Sequence, residues 1–220
     1  DSLNALDEDK QRMMAKLERE KAAFDKDLDR YLEEVKAFKE HSDPNNMVKI
    51  VDAANTLDNK LREAQDKAAD FNKREKVFGY QPTEYTKLAE MMEDFAPFYK
   101  LWTTMSDFHT KKQSWLTGSF LELQADEIER DVTDWWTSSY RLMRNLEDTA
   151  PGPAEVAGLL RTQTDSFKRF VPLIQALASP ALKERHWSTL SERVGKDISP
   201  DDELTLQQLL DEGIMEHMAT

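Results

Sequence analysis

The 220-residue sequence contains no cysteine. That excludes a disulfide framework and any thiolate-bound zinc or iron–sulfur centre. Glycine is scarce: six residues, each standing alone, at positions 79, 118, 152, 158, 195 and 213. A phosphate-cradling loop needs glycines around one turn and a Lys before Ser or Thr, so a Walker-type nucleotide site is excluded. No Gly-x-Ser-x-Gly nucleophile elbow is present either. No apolar run approaches the ~20 residues of a membrane span, and Asp1-Ser2-Leu3-Asn4 is not the basic-then-apolar start of a signal peptide. Cations are the minority charge, 30 against 43 Asp and Glu, for a net charge of −13. That balance excludes a uniformly basic nucleic-acid surface.

Abundant Glu, Lys, Leu and Ala with so little Gly point to an all-α chain. Leu17, Phe24, Tyr31 and Phe38 recur every seven residues, and Met14, Leu28 and Val35 fill the second seam position, broken once by Lys21. This 4/3 spacing keeps one stripe toward a partner helix. His41–Asn46 is a turn, with Pro44 breaking the helix and Asp or Asn available to cap the next. A second stripe follows: Met47, Ile50, Ala54, Leu57, Leu61, Ala64, Ala68, Phe71 and Phe78, interrupted only by Glu75. Two long stripes joined by a short turn make a long antiparallel hairpin over residues 1–78. Its small Ala residues face aromatics, and its stripe closes on itself.

Residues 79–220 read as an elongated helical bundle. Gly79-Tyr80-Gln81-Pro82 ends the hairpin, and Thr83 fits an N-cap for a helix carrying Tyr85, Leu88, Met92, Phe95, Tyr99 and Trp102. Pro97 predicts a kink near Ala96, and Gly118 ends the run. A helix from about Asp126 carries Ile128, Val132, Trp135, Leu142 and Leu146, with a second stripe of Trp136, Tyr140 and Met143. Neighbouring helical residues point about 100° apart, so Trp135 and Trp136 serve different contacts. The Trp136 face is either sandwiched between layers or offered to a partner. Pro151-Gly152-Pro153 reads as a firm break before Val156, Leu160, Phe167, Phe170, Ile174 and Leu177, with Pro172 kinking the last turns. Ser179-Pro180 reads as the start of a helix ending at Gly195. Ser199-Pro200-Asp201 reads as another start, before Leu204, Leu206, Leu209, Leu210, Ile214 and Met218. The stripe runs to the chain's last residues, as expected of a piece of a longer polypeptide. Charge is uneven: net −3 over residues 1–78 and net −10 over 79–220.

Chemistry-bearing patterns are sparse. His41, His109, His186 and His217 are isolated and do not fit His-Glu-x-x-His, so no metal or cofactor site is expected. The carboxylate pairs Glu33-Glu34, Asp126-Glu127 and Asp201-Asp202 arise in so acidic a chain without a pocket to separate their pKa values. Arg144, Arg161, Lys168 and Arg169 could gather into a small basic patch, for which solvated or salt-bridged side chains are the default.

Two segments carry a resemblance. Phe95-Ala96-Pro97-Phe98-Tyr99-Lys100-Leu101-Trp102-Thr103-Thr104 and Trp115-Leu116-Thr117-Gly118-Ser119-Phe120 resemble the entry to the linker of dynein heavy chains. Phe170-Val171-Pro172-Leu173-Ile174, Leu177 and Pro180–Trp187 resemble that family's apolar helix, Ser-Pro turn and Leu-x-x-Arg-His-Trp. Val194-Gly195 and Leu204-Thr205-Leu206-x-x-Leu209-Leu210 follow in family order. The resemblance covers roughly 79–220 and its details look axonemal, of inner-arm type. It implies a non-catalytic mechanical segment, where tail meets lever, of a microtubule motor in a cilium or flagellum. It implies as partners an AAA+ ring of the same heavy chain, C-terminal to residue 220, and dynein light or intermediate chains. No nucleic acid or membrane partner is expected, and the segment is expected to be monomeric. None of the family's catalytic residues maps here; Arg185, His186 and Trp187 match its motif and read as packing. The competing reading is a spectrin-like or other coiled-coil adaptor, which predicts a repeat that residues 79–220 do not show. An all-α enzyme is a third reading that no motif supports.

Overall fold

The computed structural model describes residues 2–217 of the chain. Every regular element among them is helical, in the order α1 (Ser2–Ala37), α2 (Met47–Val77), α3 (Thr86–Thr117), α4 (Ala125–Leu146), α5 (Pro151–Lys168), α6 (Val171–Leu177), α7 (Glu184–Val194), α8 (Leu206–Asp211) and α9 (Ile214–His217). The fold is all-α. Packing divides it into two compact units, Asp1–Trp102 and Thr103–Thr220. The division lies within α3, not at the Gly79 turn.

In the first unit the two stripes pair as a hairpin. Leu17, Phe24, Leu28, Val35 and Phe38 are buried against Ile50, Ala54, Leu57, Leu61, Ala64, Ala68 and Phe71. Each buried Leu, Ile or Phe contributes about 1.5–3 kcal/mol. The turn is held by Asp43, which accepts from the Asn45 backbone N–H at 3.0 Å and from Asn46 Nδ2 at 2.9 Å. Glu34–Lys60 at 2.9 Å and Glu20–Arg74 at 2.5 Å fix the antiparallel register from the sides. The hairpin does not close its stripe alone. The first half of α3 and the residue before it lie on it: Tyr85 meets Phe24 edge-on at 5.5 Å between ring centres, and Phe95 of α3 meets Phe38 at 5.2 Å. Three helices, not two, share this core.

Thr83 does not cap α3, which starts three residues later. Its backbone N–H and hydroxyl instead donate to the Glu75 carboxylate at 2.7 and 2.6 Å. Buried Glu75 outcompetes the cap role because an unsatisfied carboxylate there would cost more than an uncapped, solvated helix end. Helix α3 runs without interruption through Pro97 to Thr117.

In the second unit α4 and α5 form an antiparallel pair. Phe108 and Trp115 of α3, Trp135 of α4 and Phe167 of α5 make an aromatic core, with centroids 5.5–5.7 Å apart for Phe108–Trp135, Trp115–Trp135 and Trp115–Phe167. Ile128, Val132, Leu142, Leu146, Val156 and Leu160 complete it.

Three local start signals resolve differently from their sequence reading. Pro151-Gly152-Pro153 is not a break but the first turn of α5, with Pro151 at its first position. A first turn needs no N–H donor, so proline's fixed φ is an advantage there. Ser179-Pro180 opens a turn rather than a helix; the Ser179 hydroxyl accepts from the Ala181 N–H at 3.3 Å, and α7 begins only at Glu184. Asp201 closes a local turn by accepting from the N–H groups of Glu203 and Leu204 at 3.0 and 3.1 Å. The following helix is capped by Thr205, whose hydroxyl accepts from the Gln208 N–H at 3.1 Å. Asp and Ser side chains serve turns and caps equally well. The fifth apolar stripe splits into α5 and α6 around Arg169-Phe170, with Pro172 in the first turn of α6. Gly195 ends α7 at φ +75°, the left-handed conformation that favours glycine. Met218 lies outside the described residues.

Candidate functional site

Helices α4 and α5 place the Trp136 stripe on their shared outer edge. Trp135 turns into the core, while Trp136 is half-buried and Tyr140 is 44% exposed. Met143 rests over Gly158, where a Cβ would stand 3.5 Å from its Sδ. Two cations from α5 cover the rings. The Arg161 guanidinium carbon lies 4.3 Å from the Tyr140 ring centre and 4.9 Å from that of Trp136, and Lys168 Nζ lies 4.7 Å from Trp136. Such contacts contribute about 0.5–2 kcal/mol each, depending on desolvation. The second apolar stripe is therefore a mixed aromatic and cationic strip, not a bare apolar face. Of the four basic residues that could gather, Arg161 and Lys168 do so; Arg144 is tied to Glu147 at 3.0 Å, and Arg169 is exposed at the end of α5. The sequence offers the ring stripe and the basic residues separately, and the register of α4 against α5 brings them together.

Arg185, His186 and Trp187 occupy the first turn of α7. Lys183 is its N-cap. His186 Nδ1 accepts from the Lys183 N–H at 2.9 Å, while the His186 N–H donates to the Lys183 carbonyl at 2.8 Å. An imidazole here does what Glu or Gln does in a capping box. Arg185 Nε sits 3.4 Å from His186 Nε2, so the guanidinium lies along the outer side of the ring. Trp187 points inward and is only 6% exposed.

Two further histidines are partly enclosed. Burial pushes the His41 imidazole below its usual value. Burial, then the nearby Lys112, does the same to His109. Among the described residues no group of three or more His, Asp or Glu is placed to hold a metal ion, and no helix is long and apolar enough to cross a membrane.

Comparison with known proteins places these features in a family. The family described as Dynein heavy chain, N-terminal region 2, matches residues 88–220. Dynein axonemal heavy chain 1 of Mus musculus is 31% identical over 169 residues, 77% of this chain and 4% of the relative. The Homo sapiens protein of the same name is 29% identical over 184 residues, 84% of this chain and 4% of the relative. Dynein axonemal heavy chain 3 of Homo sapiens is 28% identical over 192 residues, 86% of this chain and 5% of the relative. The chain thus spans about a twentieth of the length of these relatives. The matched stretch is an N-terminal region, not the ATPase modules.

Proposed function

The chain belongs to the dynein heavy-chain family, and from that premise we propose that it is a non-catalytic mechanical segment, the junction at which the tail of the motor joins its lever. The observation that carries the proposal is the uninterrupted family match from residue 88 to 220 in an N-terminal region, in a sequence without a phosphate-binding loop. Residues 1–78 serve as the neck hairpin and 79–220 as the base of the linker. The AAA+ ring of the same heavy chain supplies ATP-driven bending, and light or intermediate chains bind the tail side. The relatives named as axonemal support a place in the axoneme of a cilium or flagellum. The adaptor reading loses its footing, because a spectrin-like array repeats at fixed period and this chain matches a heavy-chain region instead.

A lever transmits displacement only if its base resists bending. Helices sharing a buried core supply that resistance; isolated helices would not. The test uses the full-length heavy chain. Replacing Gly79–Pro82 with a flexible Gly-Ser stretch of about 12 residues, long enough to behave as a random coil, should leave microtubule-stimulated ATP hydrolysis intact and slow microtubule gliding severalfold. Unchanged gliding, or loss of hydrolysis along with it, would refute the lever assignment. The 220-residue segment should sediment as a monomer at tens of micromolar; a concentration-dependent dimer lost on deleting residues 1–78 would make the hairpin an association element instead.

A further inference from the structure

We propose that the outer edge of the α4–α5 pair is a docking surface for an acidic peptide segment of a partner protein, with Trp136 and Tyr140 as its floor and Arg161 and Lys168 as its charged clamps. Charge complementarity selects the occupant. The chain carries thirteen more acids than bases, and across the helices of this fold Lys21, Lys60, Arg74, Lys87 and Lys111 are each matched to a carboxylate. Arg161 and Lys168 combine two features side by side on one pair of rings, which Lys112 over Phe108 shares as a single cation elsewhere, on α3. Both lie over ring faces, and among the described residues neither makes an ion pair with a carboxylate.

A ring can cover only part of a cation, so N–H donors remain for a second partner. A guanidinium held beside two aromatic rings has already lost side-chain freedom, so a carboxylate can bind its planar fork with little further loss. Tyr140, 44% exposed, adds apolar contact area beside the charge. Arg and aromatic residues together are the side chains that dominate interface energetics.

The same charges argue against a nucleic acid. The second unit lies in the net −10 part of the sequence, and a long phosphate polymer would meet that field along its whole length. A short carboxylate segment meets mainly the two local cations, with Asp165 the acid one turn from both on α5, because the Debye length is ~8 Å at physiological salt. The inference goes beyond the lever reading, and its test involves neither ATP hydrolysis nor motility, so the two can fail separately.

The probe is a fluorescein-labelled octaglutamate peptide, titrated against the 220-residue chain by fluorescence anisotropy at low salt. The expected result is binding tighter than about 100 μM that weakens steeply as salt rises. The indole N–H signal of Trp136 in a proton–nitrogen spectrum should shift with occupancy while that of the core residue Trp102 stays put. R161Q/K168Q should weaken the complex at least about tenfold, and the charge-preserving R161K/K168R should retain most of it. Should the double glutamine variant unfold, the Trp136 shift and the salt dependence of the parent decide the matter. Binding unchanged in R161Q/K168Q, no binding below about 1 mM, or movement of indole signals other than Trp136 alone would overturn the proposal. A 12-nucleotide oligothymidylate bound as tightly at the same residues would also overturn it, as a general polyanion site.

Discussion

Lys21 and Glu75 meet across the hairpin with Nζ 2.7 Å from a carboxylate oxygen, and each is the one polar residue interrupting its own helix's apolar stripe. The Glu75 side chain is 3% exposed and that of Lys21 21%. Thr83 completes the site by donating twice to the same carboxylate. The Tyr80 N–H also donates to the Glu75 carbonyl at 2.9 Å. One carboxylate therefore ties α1, the end of α2 and the approach to α3 together.

Glu75→Ala should lower the unfolding free energy of the segment by about 3–5 kcal/mol, because it leaves Lys21 and both Thr83 donors without their acceptor. Lys21→Met should cost less, since Lys21 is partly solvated and the Thr83 bonds survive. Replacing both, as K21M/E75L, should recover much of the loss, since buried pairs are often no better than an apolar replacement. Urea denaturation of the parent, K21M, E75L and K21M/E75L measures the coupling. Additive losses in the double variant would show that the two residues do not act as a pair.

The same clasp sets an acid limit. Burial pushes the Glu75 carboxyl up, but the Lys21 ammonium and the two Thr83 donors outweigh it and leave its pKa below the usual 4.5. A carboxyl whose folded pKa is depressed stabilises the fold above its unfolded value and loses that contribution as pH falls through the folded one. The bond to Glu75 leads in raising the Lys21 pKa above 10.5, so the lysine's share is lost only as pH rises through that higher value. The stability difference between the parent and Glu75→Gln should therefore be constant from pH 6 to 8 and shrink below pH 4.5. A difference that persists unchanged at pH 2 would mean that the charge of Glu75 contributes nothing.

In α7, His186→Ala should cost about 1 kcal/mol through the lost cap, and His186→Glu should retain most of it by restoring a side-chain acceptor. Trp187→Ala should cost about 3–5 kcal/mol, as truncating a buried aromatic usually does. Thermal melts separate the two classes. A Trp187→Ala protein melting within a degree or two of the parent would contradict the burial of that side chain.

The helices of the hairpin were legible because their stripes hold one period for thirty residues, and no other structure uses that spacing. What periodicity hid was the meaning of its defects. Lys21 and Glu75 read as flaws in separate helices, yet Glu34–Lys60 and Glu20–Arg74 show the register that sets them opposite. Opposite charge at matching heights was the available signal. The two Ser-Pro starts failed for another reason: the same residues cap helices and close turns, and only tertiary packing selects between them. The Trp136 cluster was half legible. Its rings stood out, but the cations that cover them come from a different helix at a register no single stripe encodes.

Gly118 stands where α3 gives way to the segment that pairs with Thr205. A Cβ at 118 would stand 2.8 Å from the Ser114 carbonyl oxygen. That oxygen already accepts the Gly118 N–H at 2.9 Å, so it cannot move aside without losing the bond that terminates the helix. The next residues have no slack. Ser119 forms an antiparallel bridge with Thr205, the Phe120 N–H donates to the Leu204 carbonyl at 2.7 Å, and Phe120, Leu204 and Leu206 are buried. Relief at 118 must therefore come from displacing a buried ring or opening the bridge. Gly118→Ala should cost about 1–3 kcal/mol, the range for overpacking a tight site, although alanine is the better helix former. Hydrogen exchange should locate the damage, with the Phe120 amide losing protection while amides in α1 and α2 keep theirs. If Gly118→Ala is as stable as the parent and Phe120 remains protected, the close approach at Ser114 does not constrain this junction.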